Sequence, residues 1–243
     1  MGKPRLVLLH GVGLDHTMWD PVAGMLRDDF TVATPDLLGH GANAPAPAGV
    51  DLAALAGDVM AGLRAGTHLV GFSLGALVAQ HVARYRPDLL ASLTSVSSVC
   101  RRSDEERAGV LGRLSAASAD FPASVAASLN RWYADTGVAQ DTIEQTKKTL
   151  LGNDVPSYLA CYRVFATADA EIGPELANIT VPSLAITGGL DPGSTPEMTR
   201  RLAEAIPRCR AVIVPGARHM LPVQLPRPFV AALATFIGDP AHA

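Results

Sequence analysis

The chain alternates between short hydrophobic segments and longer stretches in which apolar residues recur with helical spacing. The short segments are too brief for helices and are mostly apolar, which is typical of strands buried on both faces of a parallel sheet. Helical patterns join them, for example residues 17–26, where Met18, Val22 and Met25 share one face. This alternation predicts an α/β fold with parallel pairing and right-handed crossovers. We predict six strands, at residues 6–9, 31–34, 68–72, 90–99, 182–187 and 211–214.

The pattern changes between residues 101 and 172, where no strong strand segment occurs. We interpret this region as a helical cap inserted into an α/β core made of residues 1–100 and 173–243; the alternative is one more helical layer of the core. The charges of the insertion balance and give no electrostatic indication of a ligand. Its aromatic residues Trp132 and Tyr133 either line a pocket or pack inside the cap. The predicted cap helices are residues 107–117, 123–133, 141–150 and 157–166.

A serine lies where the third predicted strand passes into a helix. Residues 71–75 read Gly-Phe-Ser-Leu-Gly, and this G-x-S-x-G pattern marks a catalytic serine only in such a strand–turn–helix context. Because the turn is tight, the positions two before and two after Ser73 must be almost free of side chain, which Gly71 and Gly75 satisfy. The first N–H groups of the following helix are free to bind a developing negative charge. We therefore predict that Ser73 is a nucleophile.

A base and an acid for this serine follow later in the chain. A serine hydroxyl is a weak nucleophile that needs a histidine beside it, and a carboxylate fixes the histidine tautomer. Asp191 follows the fifth predicted strand and His219 follows the sixth. The carboxyl ends of parallel strands share one edge, so Ser73, Asp191 and His219 are expected to meet there. Asp36 also lies at that edge and is the alternative acid.

The loop after the first strand is the second candidate element for catalysis. Acyl transfer needs N–H donors aimed at the oxyanion, and we predict the backbone N–H groups of Leu74 and Val12. Gly11 and Gly13 flank Val12 and allow this backbone to approach a substrate, while His10 is expected to brace the loop through hydrogen bonds. The residues predicted to contact the substrate are Gly11, Phe72, Trp132 and Met220.

Composition excludes several other classes of protein. A chain of 243 residues with 48% apolar content suits one large α/β domain or a domain with an insertion. The net charge of −3 is scattered along the chain, which argues against nucleic-acid binding. No apolar run approaches the ~20 residues of a membrane span. Three widely spaced cysteines indicate a reducing, cytoplasmic setting and no metal site. We expect no cofactor, a small-molecule substrate and, as an open option, a homodimer.

Together these motifs resemble the α/β-hydrolase superfamily over almost the full chain. Within it, the cap segments at residues 131–133, 158–162 and 166–169 look like the 3-oxoadipate enol-lactonase-type group. The resemblance implies a mostly parallel sheet flanked by helices, with a helical cap. The segments that carry the superfamily match are residues 9–11, 35–41, 71–75, 187–191 and 216–219.

Two features depart from that group. Its members usually begin with a β-hairpin, whereas this chain reaches its first strand at Leu6, so we expect a sheet of about six strands with an exposed or partner-covered edge. Gln224 stands where many relatives carry Glu after the catalytic histidine, which removes a possible charge near the site.

The resemblance implies a cofactor-free serine hydrolase that acts on a small carboxylate-bearing ester or lactone, similar to 3-oxoadipate enol-lactone. One alternative is a C–C bond or amide/enamine hydrolase for a ring-cleavage product of aromatic or heterocycle catabolism. Another is a non-catalytic small-molecule binding protein on the same fold.

Overall fold

A computed structural model describes residues 2–239, and its centre is an open parallel sheet. Every neighbouring pair of strands runs in the same direction, in the order β2-β1-β3-β4-β5-β6. The predicted α/β fold and its six-stranded sheet are confirmed within these residues. The strands are β1 (Arg5–Leu9), β2 (Thr31–Ala33), β3 (Thr67–Phe72), β4 (Leu90–Val96), β5 (Ser183–Gly188) and β6 (Cys209–Val214).

Helices cover the sheet and fill the connections between its strands. None of the helices within residues 2–239 is both long and apolar enough to cross a bilayer. Short 3₁₀ segments occupy His16–Trp19, Pro87–Leu89 and Gly173–Asn178. The α-helices are α1 (Asp20–Leu26), α2 (Leu52–Ala61), α3 (Leu74–Tyr85), α4 (Asp104–Ala119), α5 (Phe121–Tyr133), α6 (Gln140–Leu151), α7 (Val155–Ile172), α8 (Pro196–Ala205), α9 (Leu221–Gln224) and α10 (Pro226–Ile237).

The continuous apolar strands reflect two hydrophobic cores, one on each face of the sheet. Along β1, Leu6 and Leu8 belong to one buried cluster, whereas Val7 and Leu9 belong to the other. Successive side chains of a strand point to opposite faces, so a strand that is covered by helices on both sides is apolar at every position. The edge strands are more exposed: in β2, Thr31 is exposed and the next two residues are half-buried.

Two predicted elements differ in extent from the structure. The helix predicted at residues 17–26 begins as a 3₁₀ turn, because the Asp15 side chain accepts the Thr17 N–H at 3.0 Å and caps this turn. The strand predicted at residues 90–99 ends at Val96. The next residue, Ser97, adopts φ +46°, which takes the backbone out of the sheet.

Helices α4 to α7 occupy most of the region between β4 and β5. Helix α7 packs against α3, and its Cys161, Val164 and Phe165 share a buried cluster with Leu77 and Val78 of α3. The insertion is therefore helical, as expected, but it is continuous with the core on one side of the sheet. The division into a core and a separate cap domain at residues 101–172 stays a prediction.

Candidate active site

Ser73 occupies a strained turn between β3 and α3. Its backbone has φ 54° and ψ −110°, a region that non-glycine residues rarely adopt and that costs on the order of 1–3 kcal/mol. The turn also needs its glycines: a Cβ on Gly71 would collide with the carbonyl of Gly75, and one on Gly75 would lie 2.5 Å from the carbonyl oxygen of His10. The Ser73 N–H donates to the Val96 carbonyl at 2.9 Å, which ties the turn to β4.

Asp191 and His219 form a buried pair at the same edge of the sheet. The Nδ1 atom of His219 lies 2.7 Å from Oδ2 of Asp191. The other carboxylate oxygen accepts the N–H groups of Gly193 and Ser194, both at 2.9 Å. Burial alone would raise the pKa of Asp191, but the imidazole and these two N–H groups outweigh burial and lower this pKa. An ionised Asp191 assigns the proton to Nδ1 of His219 and leaves Nε2 free to act as a base.

The loop that carries His219 is fixed by side-chain hydrogen bonds. Ser97 Oγ donates to the His219 carbonyl at 3.0 Å. Gln224 accepts the Arg218 N–H at 2.7 Å and donates to the Gly216 carbonyl at 3.1 Å. A glutamate at position 224 could supply only the acceptor, so the glutamine uses both ends of its amide to hold this loop.

Ser73 and His219 line the same cavity. The Ser73 hydroxyl makes no hydrogen bond within residues 2–239. Hydrogen bonds between catalytic groups are often long in unliganded enzymes and tighten with substrate. Two aromatic rings contact the imidazole: Phe72, with ring centroids 4.9 Å apart, and Trp132, at 5.6 Å.

The predicted oxyanion donors lie beside the serine. Within the part of the chain that the structure describes, neither the Val12 N–H nor the Leu74 N–H donates to a protein acceptor. Val12 lines the cavity with Ser73. A Cβ on Gly11 would lie 2.9 Å from the Phe72 ring, so only glycine lets the loop approach this closely. The two free N–H groups are suited to a negatively charged oxygen, but their role stays a prediction.

His10 braces this loop rather than moving protons. It is fully buried, and its Nδ1 lies 2.8 Å from the Gly11 carbonyl while its Nε2 accepts the Leu37 N–H at 2.9 Å. Nδ1 is therefore the protonated nitrogen, and both ring nitrogens are occupied. Burial lowers the pKa of His10 to about 4, so the ring is neutral at physiological pH.

The rival acid Asp36 has a different set of partners. Its Oδ1 accepts the His16 N–H at 2.8 Å and lies 2.9 Å from His16 Nδ1, and its Oδ2 accepts the Ala42 N–H at 2.9 Å. These contacts hold the loop between β2 and α2. Asp36 is thus a loop-fixing residue, and the structure pairs His219 with Asp191 instead.

Three of the four predicted substrate contacts do not line the cavity. Trp132 is on its wall. Gly11 is covered by the Phe72 ring, and Phe72 itself lies against Trp19 and His219. Met220 is completely buried. These three residues lie behind the residues that line the cavity.

The cavity wall also contains residues that the sequence did not reveal. Arg113 of α4 and Arg131 of α5 reach it, as do Tyr158, Tyr162 and Phe165 of α7. Because the charges of the insertion balance overall, the sequence did not indicate that these two arginines contribute to a binding site. The α7 residues recur at i, i+4 and i+7, so they share one helix face, and this spacing was a usable signal. The full lining is Val12, Ser73, Arg113, Ser128, Arg131, Trp132, Tyr158, Tyr162, Phe165, Asp191, Pro192, Gly193, Ser194 and His219.

Comparison with known proteins agrees with this architecture. The model of the alpha/beta hydrolase family matches residues 6–232. The chain belongs to this family. It is 29% identical over 229 residues to an (E)-2-((N-methylformamido)methylene)succinate hydrolase of Acinetobacter baylyi, covering 93% of this chain and 86% of that protein. It is also 29% identical over 245 residues to 3-oxoadipate enol-lactonase 1 of the same organism, covering 96% and 88% of the two chains.

A solved structure gives the same result for the fold. The crystal structure of a hydrolase from Pseudomonas aeruginosa PA01 matches with a TM-score of 0.86 at 27% identity, covering 98% of this chain and 91% of that one. The predicted resemblance to α/β hydrolases, including the enol-lactonase group, is therefore confirmed, and so is the prediction that the chain is a hydrolase.

Proposed function

We propose that this α/β hydrolase cleaves a small carboxylate-bearing ester or lactone through an acyl-enzyme on Ser73. The lining of the cavity is the main support for this proposal. Ser73 and His219 line the same cavity as two arginines, Arg113 and Arg131. The reacting groups and a site for a substrate carboxylate therefore lie in one cavity.

In the proposed reaction, Ser73 Oγ attacks the carbonyl carbon while its proton passes to Nε2 of His219. Asp191 stabilises the imidazolium that forms, and the N–H groups of Val12 and Leu74 bind the oxyanion. When the intermediate collapses, the ester C–O bond breaks and the leaving oxygen takes the proton from the imidazolium. A water molecule, activated by the same histidine, then releases the acid and restores the serine.

The two arginines support a carboxylate substrate because both line the cavity. Within residues 2–239 neither Arg113 nor Arg131 forms an ion pair. Arg131 donates to Ser128 Oγ at 2.9 Å, and burial together with the neighbouring Arg113 charge lowers its pKa. Two cations in a partly buried space favour a bound anion, and guanidinium groups bind carboxylates with charge-assisted hydrogen bonds.

Two phenol groups complete this side of the cavity. Tyr158 and Tyr162 lie on the same wall, and neither hydroxyl has a hydrogen-bond partner within the described residues. Burial raises the pKa of Tyr158, so this phenol stays protonated and can donate.

The test is a panel of substrates measured with matched arginine variants. Arg131→Gln should raise KM for a carboxylate-bearing ester by about 10–100-fold and leave an uncharged ester of the same shape almost unchanged, because a charged hydrogen bond contributes roughly 1.5–3 kcal/mol. Arg163→Gln is the control, since Arg163 is an exposed cap arginine on α7 outside the cavity. Equal losses on both esters would refute the carboxylate assignment.

Amide or enamine hydrolysis is the second candidate, because one relative is a hydrolase of an N-methylformamido-methylene succinate. It uses the same triad and the same arginines but expels nitrogen instead of oxygen. Measuring an enol lactone, an enamide and a dienol-type keto acid side by side separates ester, amide and C–C bond cleavage. The substrate with the highest kcat/KM that is lost in Ser73→Ala identifies the class.

A further inference from the structure

The end of α5 contacts the loop that carries the catalytic histidine. The Trp132 ring stacks on the His219 imidazole with centroids 5.6 Å apart and an angle of 28° between the planes. The preceding loop residue, Arg218, donates to the Arg131 carbonyl at 3.5 Å and lies 3.7 Å from the Asp135 carboxylate. Arg131, Trp132 and Asp135, at the end of α5 and just after it, thus contact two residues of the histidine loop.

The remaining contacts of this loop come from the core. Ser97 and Gln224 hold its backbone, Asp191 holds Nδ1, and Phe72 of β3 contacts the ring. Trp132 is therefore the aromatic contact of the imidazole that the cap supplies. It is half-buried on the cavity wall, so one part of its ring faces the opening and another faces the histidine.

One hydrogen bond does not fix the plane of an imidazole. The Nδ1 contact with Asp191 leaves the ring free to rock about the line between the two atoms, because χ2 of histidine is a soft torsion. An aromatic ring stacked against the imidazole restricts this motion. Its π face also stabilises the positive charge that the imidazole gains when it accepts the serine proton.

We propose that Trp132 is a positioning residue that sets the plane of His219, so that the base is aligned with Ser73 when the end of α5 rests against the histidine loop. This inference depends on the Ser73–His219 chemistry proposed above. It gives the cap a part in the chemical step in addition to its part in substrate binding. The Ser73 hydroxyl, which has no hydrogen bond within residues 2–239, would gain its partner through this alignment.

The competing explanation is that Trp132 is only a wall that touches the substrate. The two explanations predict different reaction rates for a reagent that is too small to depend on contact with the Trp132 ring. Methanesulfonyl fluoride reacts with a serine that a histidine has activated: an O–S bond forms, the S–F bond breaks, fluoride leaves and the proton passes to the imidazole. Its rate therefore reports alignment of Ser73 and His219.

The experiment compares inactivation rates of four proteins. Trp132→Leu should react about tenfold more slowly than the wild type, and Trp132→Phe, which keeps an aromatic face, should stay within about threefold, as expected for an aromatic contact of this strength. Tyr133→Phe is the control, because Tyr133 is a buried aromatic residue of the same helix that bonds Thr146 instead of the histidine. With a good substrate, Trp132→Leu should lower kcat as well as raise KM.

A wild-type inactivation rate in Trp132→Leu, with only KM raised, would overturn the positioning role. Circular dichroism establishes whether Trp132→Leu is folded. If it is not, Trp132→Met is measured instead, with the same expected decrease in the inactivation rate. Failure of the wild type to react at all, judged against Ser73→Ala, would instead overturn the proposed function. The two failures are thus distinguishable.

Discussion

The groups that orient the histidine on the sheet side and the charged and phenolic groups of the cap side differ in how far protein partners satisfy them. On the sheet side, both oxygens of Asp191 and both nitrogens of His10 have protein partners. On the cap side, Arg113 has no ion pair within residues 2–239, and the hydroxyl of Tyr158 has no hydrogen bond there. The comparison separates groups held in place for chemistry from groups left available for a ligand.

This difference has a physical basis. A proton relay needs fixed tautomers and orientations before the substrate arrives, so its partners must come from the protein. A binding wall gains affinity only from bonds that the ligand itself completes, so donors that are already paired would contribute little.

The largest effect is expected at the acid of the sheet side. In Asp191→Asn, the N–H groups of Gly193 and Ser194 would hold the amide oxygen and turn its NH₂ towards Nδ1 of His219. The proton of the imidazole would then move to Nε2, where it blocks the base, and kcat should fall about 10³–10⁴-fold. Asp36→Asn is the comparison and should change kcat by less than about threefold. Similar losses in the two variants would show that the acid is not assigned correctly.

The next effect concerns buried histidines behind the sheet-side loop. Burial lowers the pKa of His10 from 6.5 to about 4 and that of His40 to about 3. Because the folded-state pKa values lie below the unfolded value, stability from these groups is complete above pH 6.5 and is lost as the pH falls towards 4. Each should contribute a slope of up to about 1.4 kcal/mol per pH unit.

Urea unfolding at several pH values between 7.5 and 4.5 measures this slope. His16 acts in the opposite direction, since its hydrogen bond with Asp36 raises its pKa, but its side chain is 49% exposed and its effect is small. His40→Asn should reduce the slope of the unfolding free energy with pH by the contribution of about one proton, even if the variant is less stable overall. A free energy of unfolding that does not change over this range would contradict the neutral, buried state of both rings.

The smallest effect is expected at Ser97, which holds the histidine loop. Ser97→Ala removes the hydrogen bond to the His219 carbonyl, and Ser97→Gly removes it while relieving the strain of φ +46°. Both variants should lower kcat by a few fold, since a single hydrogen bond contributes about 0.5–1.5 kcal/mol. Only the alanine variant should also keep the backbone strain, so its thermal midpoint should be the lower one. Unchanged kcat in both would mean that the loop does not need this anchor.

The same contrast explains how much could be predicted from the sequence. Ser73, Asp191 and His219 each follow a strand of the sheet, and parallel strands bring their carboxyl ends to one edge, so the pattern predicted that these residues lie around one cavity. Gly71 and Gly75 were predictable too, because the turn geometry excludes side chains there.

The cap side could not be predicted in this way. Helical residues reach a cavity only if their helix is rotated towards it, and this rotation depends on packing between α4, α5 and α7. Nothing in the sequence pattern therefore indicated that Arg113 and Arg131 line the cavity. Phe72 and Met220 lie next to Ser73 and His219 in sequence, but both are buried and do not line the cavity, which depends on packing that sequence adjacency does not reveal.

The most direct test of the account is covalent labelling of Ser73 with a fluorophosphonate, mapped by peptide mass spectrometry. The account predicts an adduct on the peptide that contains Ser73 in the wild type, none in Ser73→Ala, and labelling more than about 10³-fold slower in His219→Ala, because the hydroxyl is a weak nucleophile without its base. An unlabelled Ser73 in a folded protein, or substrate turnover that persists in Ser73→Ala, would contradict it.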